Sequence, residues 1–362
     1  MIQMLHLALL LAAPVASSDV VVVRADHLFL GHGDPIENGA LIVTDGKITA
    51  AGAAVKAPEG AVVIEHEGWV TPGLFGAFTM DAIGNERRDN TRPLMPEARI
   101  VHSLRPHAAA LTRNLHAGVT TITINPDTGR PCTGASALVK TSGPAVVDPE
   151  LQLCLDMSYG AVKSDEHPTS LASLHELLDG ALTDGEGPFG RAAAGKLPVI
   201  IRARDRQSVR RAAALAKDHG LRGALFGSFW TEELVEEVAG SGLGVICDPV
   251  GVAANHRALR SITALSEGGV KVGFGLVTPA NSPESMRVGA AMCVRAGLDP
   301  NVALAAMTST AAEISGAGDH AGVLAVGRDA DFVLWSGSPL ELSSRLEEVW
   351  VDGHRVHGGD EE

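Results

Sequence analysis

Few side chains in this sequence have the spacing that hydrolytic chemistry needs, although the chain has 14 histidines. None forms His-x-His or His-Glu-x-x-His, the spacings that bring two imidazoles to one metal. His102 and His107, five apart in a predicted helix, point to different faces. His27 and His32, like His354 and His357, lie near the chain ends and read as solvated or capping groups. Only His256 follows an apolar strand-like run closely enough to join other polar residues at strand ends. Those are Asn125, Asp127, Asp156, Arg202, Arg204, Asp205, Asp248 and Thr278. A nucleophilic route is no better supplied: Ser228 follows Gly227 directly and is trailed by Phe229 and Trp230, so the glycines of a Gly-x-Ser-x-Gly elbow are missing. No glycine run has the Lys-Ser/Thr spacing of a phosphate loop. Cys132, Cys154, Cys247 and Cys293 form no Cys-x-x-Cys pair and read as buried thiols, with a disulfide left open.

The elements that would position these residues change rhythm along the chain. Val20–Ala25, Gly39–Thr44, Lys47–Ala51 and Ala61–Glu65 are strand-like and punctuated by Asp45-Gly46 and Pro58-Glu59-Gly60. From residue 69, apolar strands alternate with amphipathic helices. The strand candidates are Trp69–Ala77, Val119–Ile124, Ala137–Lys140, Leu151–Asp156, Pro198–Ala203, Gly223–Phe226, Gly244–Asp248 and Val270–Leu276. Most are apolar throughout, as parallel strands covered on both faces should be. Helices are predicted over Ala98–Ala117, Ser170–Leu182, Asp205–His219, Thr231–Gly240 and Asn255–Glu267, with two more opened by Ser282-Pro283 and Asp299-Pro300. Eight strands over about 250 residues predict an α/β chain built as a (β/α)8 TIM-like barrel.

Two scaffold runs carry a family likeness. Val70-Thr71-Pro72-Gly73-Leu74-Phe75-Gly76-Ala77-Phe78-Thr79-Met80 resembles the first barrel strand of the amidohydrolase superfamily, approximately V-x-P-G-L-I-D-A-H-T-H. Gly322 to Trp335, with Gly327-Arg328-Asp329-Ala330-Asp331, resembles that family's closing segment, and Val349 to Val356 its final strands. Gly134–Lys140 and Leu151–Asp156 are most similar to the imidazolonepropionase-like subgroup. The resemblance implies a small β-sandwich assembled from both chain ends. The expected division is a signal peptide at 1–18, a composite sandwich at 19–68 and 320–357, and a barrel at 69–319.

The resemblance also implies a metal at the C-terminal ends of the strands, where it activates water against a carbonyl carbon. Position by position, the sequence departs from that. Phe78 and Met80 stand where the first strand should have His-x-His, and Gly76 where an aspartate is usual. Pro198-Val199-Ile200-Ile201-Arg202-Ala203-Arg204 puts Arg202 and Arg204 at the histidine positions of strand five, and guanidinium does not ligate cations. Strand six offers no histidine, and Val277 occupies the place of the strand-eight aspartate. The expectation is therefore no metal, no cofactor and no catalytic residue of the family type. The candidate pocket comprises Phe78, Met80, Asp156, Arg202, Arg204, Ser228, Asp248, His256 and Val277. Either the arginines fill the vacated volume and pair with Asp156 or Asp248, or they form a site for a carboxylate.

Composition narrows the partners. The formal net charge is −14 with no basic stripe, so nucleic acid and anionic membrane are poor partners. Mean hydropathy of +0.15 and 45% hydrophobic residues belong to a folded chain. Met4–Ala13 followed by Ala16-Ser17-Ser18 fits a cleaved export signal and is too short to span a membrane, which predicts a periplasmic or extracellular protein. The expected role is non-catalytic: binding a small molecule, or acting as the partner of an active amidohydrolase homologue or of a second copy. The alternative is an active hydrolase on C–N bonds such as cyclic amides, with a relocated site of Asp156, Asp248, His256 and the arginines.

Overall fold

The computed structural model describes residues 20–84, 87–143, 145–227, 232–248, 250 and 256–359. The expected signal segment and Ser228 lie outside the described residues.

The β-branched run of β1 (Val20–Leu28) starts a sheet that the chain completes only at its other end. β2 (Ile36–Thr44) and β3 (Lys47–Gly52) form a hairpin through Asp45 and Gly46, whose φ values of 49° and 78° are those of the tight turn that matches strand twist. β4 (Val62–Pro72) lies parallel to β1. The last strands described in the chain, β15 (Phe332–Trp335), β16 (Leu346–Val351) and β17 (His354–Gly358), extend this sheet in the order β17-β16-β15-β4-β1-β2-β3. The expected Trp69–Ala77 strand is thus two strands. Its first part ends β4, and Gly73 hands the chain to β5 (Leu74–Thr79). A Cβ at Gly73 would stand 2.0 Å from Thr120 Oγ1, so only glycine permits this close crossing.

The central segment is mixed α/β and barrel-like. β10 (Leu153–Asp156), β11 (Val199–Arg202), β12 (Gly223–Phe226), β13 (Gly244–Cys247) and β14 (Val272–Phe274) run parallel in one sheet. β5 and β6 (Val119–Ile124) run parallel in another. The third expected strand departs from the repeat. β7 (Cys132–Ala135) and β8 (Ala137–Lys140) are antiparallel to β10 and β6 respectively, and β9 (Val146–Asp148) adds a further antiparallel edge. The connection from β6 to β7 contains no helix, and a parallel crossover needs one, so the chain doubles back instead. Ser136 joins β7 to β8 and exchanges backbone hydrogen bonds with Leu151 and Gln152. At the opposite edge, the Leu276 and Val277 N–H groups donate to the Ala77 and Phe78 carbonyls at 2.7 and 2.8 Å.

Helices follow the parallel strands: α2 (Leu171–Asp184), α3 (Gly187–Ala193), α4 (Arg206–His219), α5 (Val235–Ser241) and α6 (His256–Glu267), then α7 (Ser285–Arg295), α8 (Pro300–Ala306) and α9 (Ser309–Ile314). The caps are local chemistry: the Asp205 carboxylate accepts from the Gln207 and Ser208 N–H groups, and Asp299 from Asn301 and Val302. The predicted Ala98–Ala117 helix is instead a 3-10 turn at Ile100–Ser103 and a short α1 (Ala109–His116). Pro106 lies between them, disfavouring helix at the residue before it and lacking the N–H a continuous helix would use. His102 and His107 are therefore not on one helix.

Among the described residues three buried clusters result: one in the terminal sheet, with Val23, Leu41, Ile48, Phe332 and Trp350, and two in the central segment. Of these two, one lies between the strands and the surrounding helices. The other lines the inside and joins Phe75, Phe78, Cys154, Ile200, Phe226 and Ile246 with Ala311 and Ile314 of α9.

Candidate functional site

The residues expected at the strand ends converge only in part. Asp156 ends β10 and is 1% exposed. Its carboxylate accepts hydrogen bonds from the Gly129 N–H at 2.8 Å, the Ser158 N–H at 2.9 Å and the Ser158 hydroxyl at 2.5 Å. Arg202 ends β11 in register with Asp156. Its guanidinium lies 3.5 Å from Asp156 Oδ2 and donates to Thr128 Oγ1. Of the two roles open to the arginines, Arg202 fills the structural one: it compensates a buried carboxylate and ties β11 to the loop after β6.

Arg204 differs. Its side chain is 54% exposed, and its guanidinium stands 3.6 Å from Asp248 Oδ2, an ion pair longer than a hydrogen bond. Asp248 follows β13 and is largely buried. Burial pushes its carboxyl above the usual carboxylate range, and the Arg204 and Arg202 charges pull it part of the way back. Its Oδ1 is buried with no hydrogen-bond partner. An orphaned carboxylate oxygen beside a half-free guanidinium is the least satisfied polar pair at these strand ends.

Beneath them the inside is apolar. Phe78 has φ +55°, its N–H donates to Thr123 Oγ1 at 2.7 Å, and its ring stacks on Phe226. Val277, at φ +49°, packs on the same layer. The Met80 N–H donates to the Thr278 carbonyl at 2.9 Å, while its side chain packs partly buried against the outer layer rather than with Phe78. His256 is the exposed first residue of α6, and no hydrogen bond or ion pair joins it to Asp156 or Asp248. The expected set therefore divides: Phe78 and Val277 form the floor, and Asp156 and Arg202 one anchored pair. Arg204 and Asp248 form a second, open pair, while Met80 and His256 stand apart.

Several partners carry little mark in the sequence. Phe226 shares a face of β12 with Ala224, two residues before it, and this alternation is the only signal for it in the sequence. Ser158 closes a turn on Asp156, and the Asp-x-Ser spacing is its signature. Thr128 and Gly129 have no such marker. Among the described residues, no group of three or more His, Cys, Asp or Glu is placed to hold a metal. The four cysteines are free and buried. Burial pushes the Cys132, Cys154 and Cys293 thiols up to about 12 and Cys247 higher still. Two clefts of about 870 and 820 Å3 open at the other end, where Val270, Lys271 and Gly316 line both.

With this geometry in view, residues 233–357 match the amidohydrolase family. Over 394 aligned residues the chain is 27% identical to an imidazolonepropionase of Cupriavidus pinatubonensis, covering 91% of this chain and 93% of that protein. An imidazolonepropionase of Cupriavidus taiwanensis is 28% identical over 92% and 93%. The fold is similar to the crystal structure of an amidohydrolase from Thermotoga maritima, with a TM-score of 0.83 and 20% identity, covering 94% of this chain and all of that one. These findings support assignment to the amidohydrolase superfamily, imidazolonepropionase-like, with a TIM-barrel-like α/β fold.

Proposed function

We propose that this chain is an amidohydrolase-like protein whose strand-end site has been rebuilt without metal ligands, and that it works as a non-catalytic binding or partner subunit. The family likeness points to hydrolysis of C–N bonds; the side chains at the strand ends point away from the metal route to it. The observation that carries this reading is the Phe78–Phe226 stack beside the Arg202–Asp156 pair. Zinc takes imidazole, thiolate or carboxylate donors, and this site presents phenyl rings, guanidinium and an isopropyl group at the corresponding positions. The residues do not fit the metal that the resemblance implies.

The reading has an architecture: one closed (β/α)8-like barrel that the chain enters at Gly73 rather than at residue 69, and a small β-sandwich built from both chain ends, with Trp69–Pro72 on the sandwich side. The hydrogen bonds across Ala77–Leu276 and through Ser136 support the first, and pairing of strands from both chain ends supports the second. The mature chain is exported, to a periplasm or the exterior. Its occupant is a small molecule with an anionic group for Arg204 and an N–H donor for Asp248, or the exposed mouth meets an active homologue or a second copy. No helix among the described residues is long and apolar enough to cross a membrane.

A second reading keeps hydrolysis, with Asp248 as a relocated acid. Its burial and raised pKa are the features a proton donor uses. Metal analysis of protein soaked in zinc, iron, manganese or nickel, followed by assay on a panel of amides and lactams, separates the two. Less than about a tenth of an equivalent of metal with no turnover is the expected result. Turnover with or without metal overturns the non-catalytic reading.

A further inference from the structure

The terminal sheet and the central segment meet at one buried lysine. Lys140 is the last residue of β8, and its side chain is 6% exposed. Its ammonium reaches Asp329 Oδ2 at 2.9 Å, Asp331 Oδ1 at 3.3 Å and Asp352 Oδ1. Asp329 also takes a hydrogen bond from Lys47 of β3, and Asp331 Oδ1 accepts the Asp352 N–H at 2.8 Å. All three carboxylates come from the chain that follows the central segment, and Lys47 from the chain that precedes it. Both terminal segments are thus fastened to the centre through Lys140.

The charges in this cluster do not balance. Two ammonium groups, Lys47 and Lys140, face the three carboxylates. The uncompensated charge has a place: Asp331 Oδ2 is buried and has no hydrogen-bond partner, while the residue is 8% exposed. A buried carboxylate oxygen without a donor is costly, and a proton on it leaves a neutral carboxyl that costs less to bury; the Oδ1 contacts remain, with a weaker attraction to Lys140.

We infer that the Lys140 cluster is a proton-linked clamp, in which Asp331 takes up one proton as the pH falls and the terminal sheet then holds more firmly to the central segment. The electrostatics agree. Burial raises the Asp331 carboxyl to about 6, against the lowering effect of Lys140 and the Asp352 N–H, while the Asp352 charge adds to the rise. Burial draws Lys140 down, but the Asp331 charge and the hydrogen bonds to Asp352 and Asp329 overcome it, so it stays charged. Asp329, although partly desolvated, is held below its usual range by Lys47 and Lys140 and is not the proton acceptor. Because the folded pKa of Asp331 exceeds its ordinary value of 3.8, the folded chain binds a proton that the unfolded chain does not between these values. Its contribution therefore favours folding below about 6 and is lost as the pH rises through that value.

Carboxyl-carbon NMR titration of the full chain tests this directly. The Asp331 resonance is expected to titrate with a midpoint near 6, and a midpoint near 4 overturns the inference. Hydrogen exchange of β3 and β15 amides, corrected for intrinsic rates, is expected to slow relative to β12 from pH 7 to pH 5. Asp331→Asn, a permanently uncharged side chain, is expected to abolish that difference, whereas Asp329→Asn keeps it. An unaltered pH response in Asp331→Asn assigns it to another group and overturns the clamp. If Asp331→Asn does not fold, the wild-type titration still decides.

Discussion

The rings of Phe78 and Phe226 lie face to face, with centroids 3.7 Å apart and planes 17° from parallel. Both side chains are buried, one on β5 and the other at the end of β12, so the stack bridges the inside beneath Arg202 and Arg204. Phe78 makes this contact from a left-handed backbone, φ +55°, which a bulky residue adopts only at a cost of about 1–2 kcal/mol. Removing the ring and relieving the backbone are separable. Phe78→Ala and Phe226→Ala should each lose about 3–5 kcal/mol, the range for a truncated buried phenylalanine. Phe78→Gly removes the same ring but accepts the backbone, so it should be about 1 kcal/mol more stable than Phe78→Ala. Urea denaturation of the three variants measures these differences, and equal stability of the glycine and alanine variants would show that the backbone there is unstrained.

Asp156 and Arg202 are unequal partners. Asp156 receives two backbone N–H groups and a hydroxyl besides the guanidinium, whereas Arg202 has Thr128 and some solvent. Asp156→Ala strands several donors and should cost about 3 kcal/mol. Arg202→Met leaves a carboxylate that is still hydrogen-bonded and should cost about 1 kcal/mol. Denaturation midpoints of both variants test the order. A larger loss for Arg202→Met would mean that the charge, not the turn around Ser158, holds this strand end.

Much of this architecture was legible in the chain because it rests on local chemistry. Asp299 caps the helix it was expected to cap, whereas α7 starts at Ser285 and not at Pro283, and β6, β8 and β12 have the bounds that their apolar runs marked. The antiparallel turn of β7 and β8 was not legible, because apolar runs carry no strand direction. Nor was the break at Gly73, where one apolar run feeds two sheets. Among site residues, Arg202 and Asp156 pair as one of the two readings required. The Arg204–Asp248 pairing belongs to the same reading, but its length of 3.6 Å and the orphaned Oδ1 depend on how two loops meet, and spacing does not encode that.

Asp248 supplies a pH signature. Burial raises its pKa, and Arg204 is the first of the charges that oppose this. Arg204→Gln should therefore lift Asp248 further, which carboxyl-carbon NMR can follow. With a folded pKa above the unfolded one, protonation favours the fold, and the destabilisation from losing Arg204 appears only as Asp248 ionises. Because Arg204 is half exposed, the loss should be about 0.5–1 kcal/mol at pH 7 and smaller at pH 4. A variant equally destabilised at both values would place the effect in packing of the Arg204 stem.

Restoring the first-strand histidines alone should not restore a metal centre. Phe78→His together with Met80→His supplies two imidazoles, but a catalytic zinc needs three protein ligands and a free position. The neighbouring strand ends offer Arg202 and Arg204, whose fixed positive charges oppose a second cation, and Val277, which has no donor atom. Met80 also packs away from Phe78, against the outer layer, so the two new imidazoles would not start on one side of the strand. The double variant should retain less than about a tenth of an equivalent of zinc after soaking and dialysis, and should not turn over amides or lactams. Near-stoichiometric zinc in that variant would mean that nearby carboxylates can complete a ligand set, with Asp248 the first to examine by substitution to asparagine.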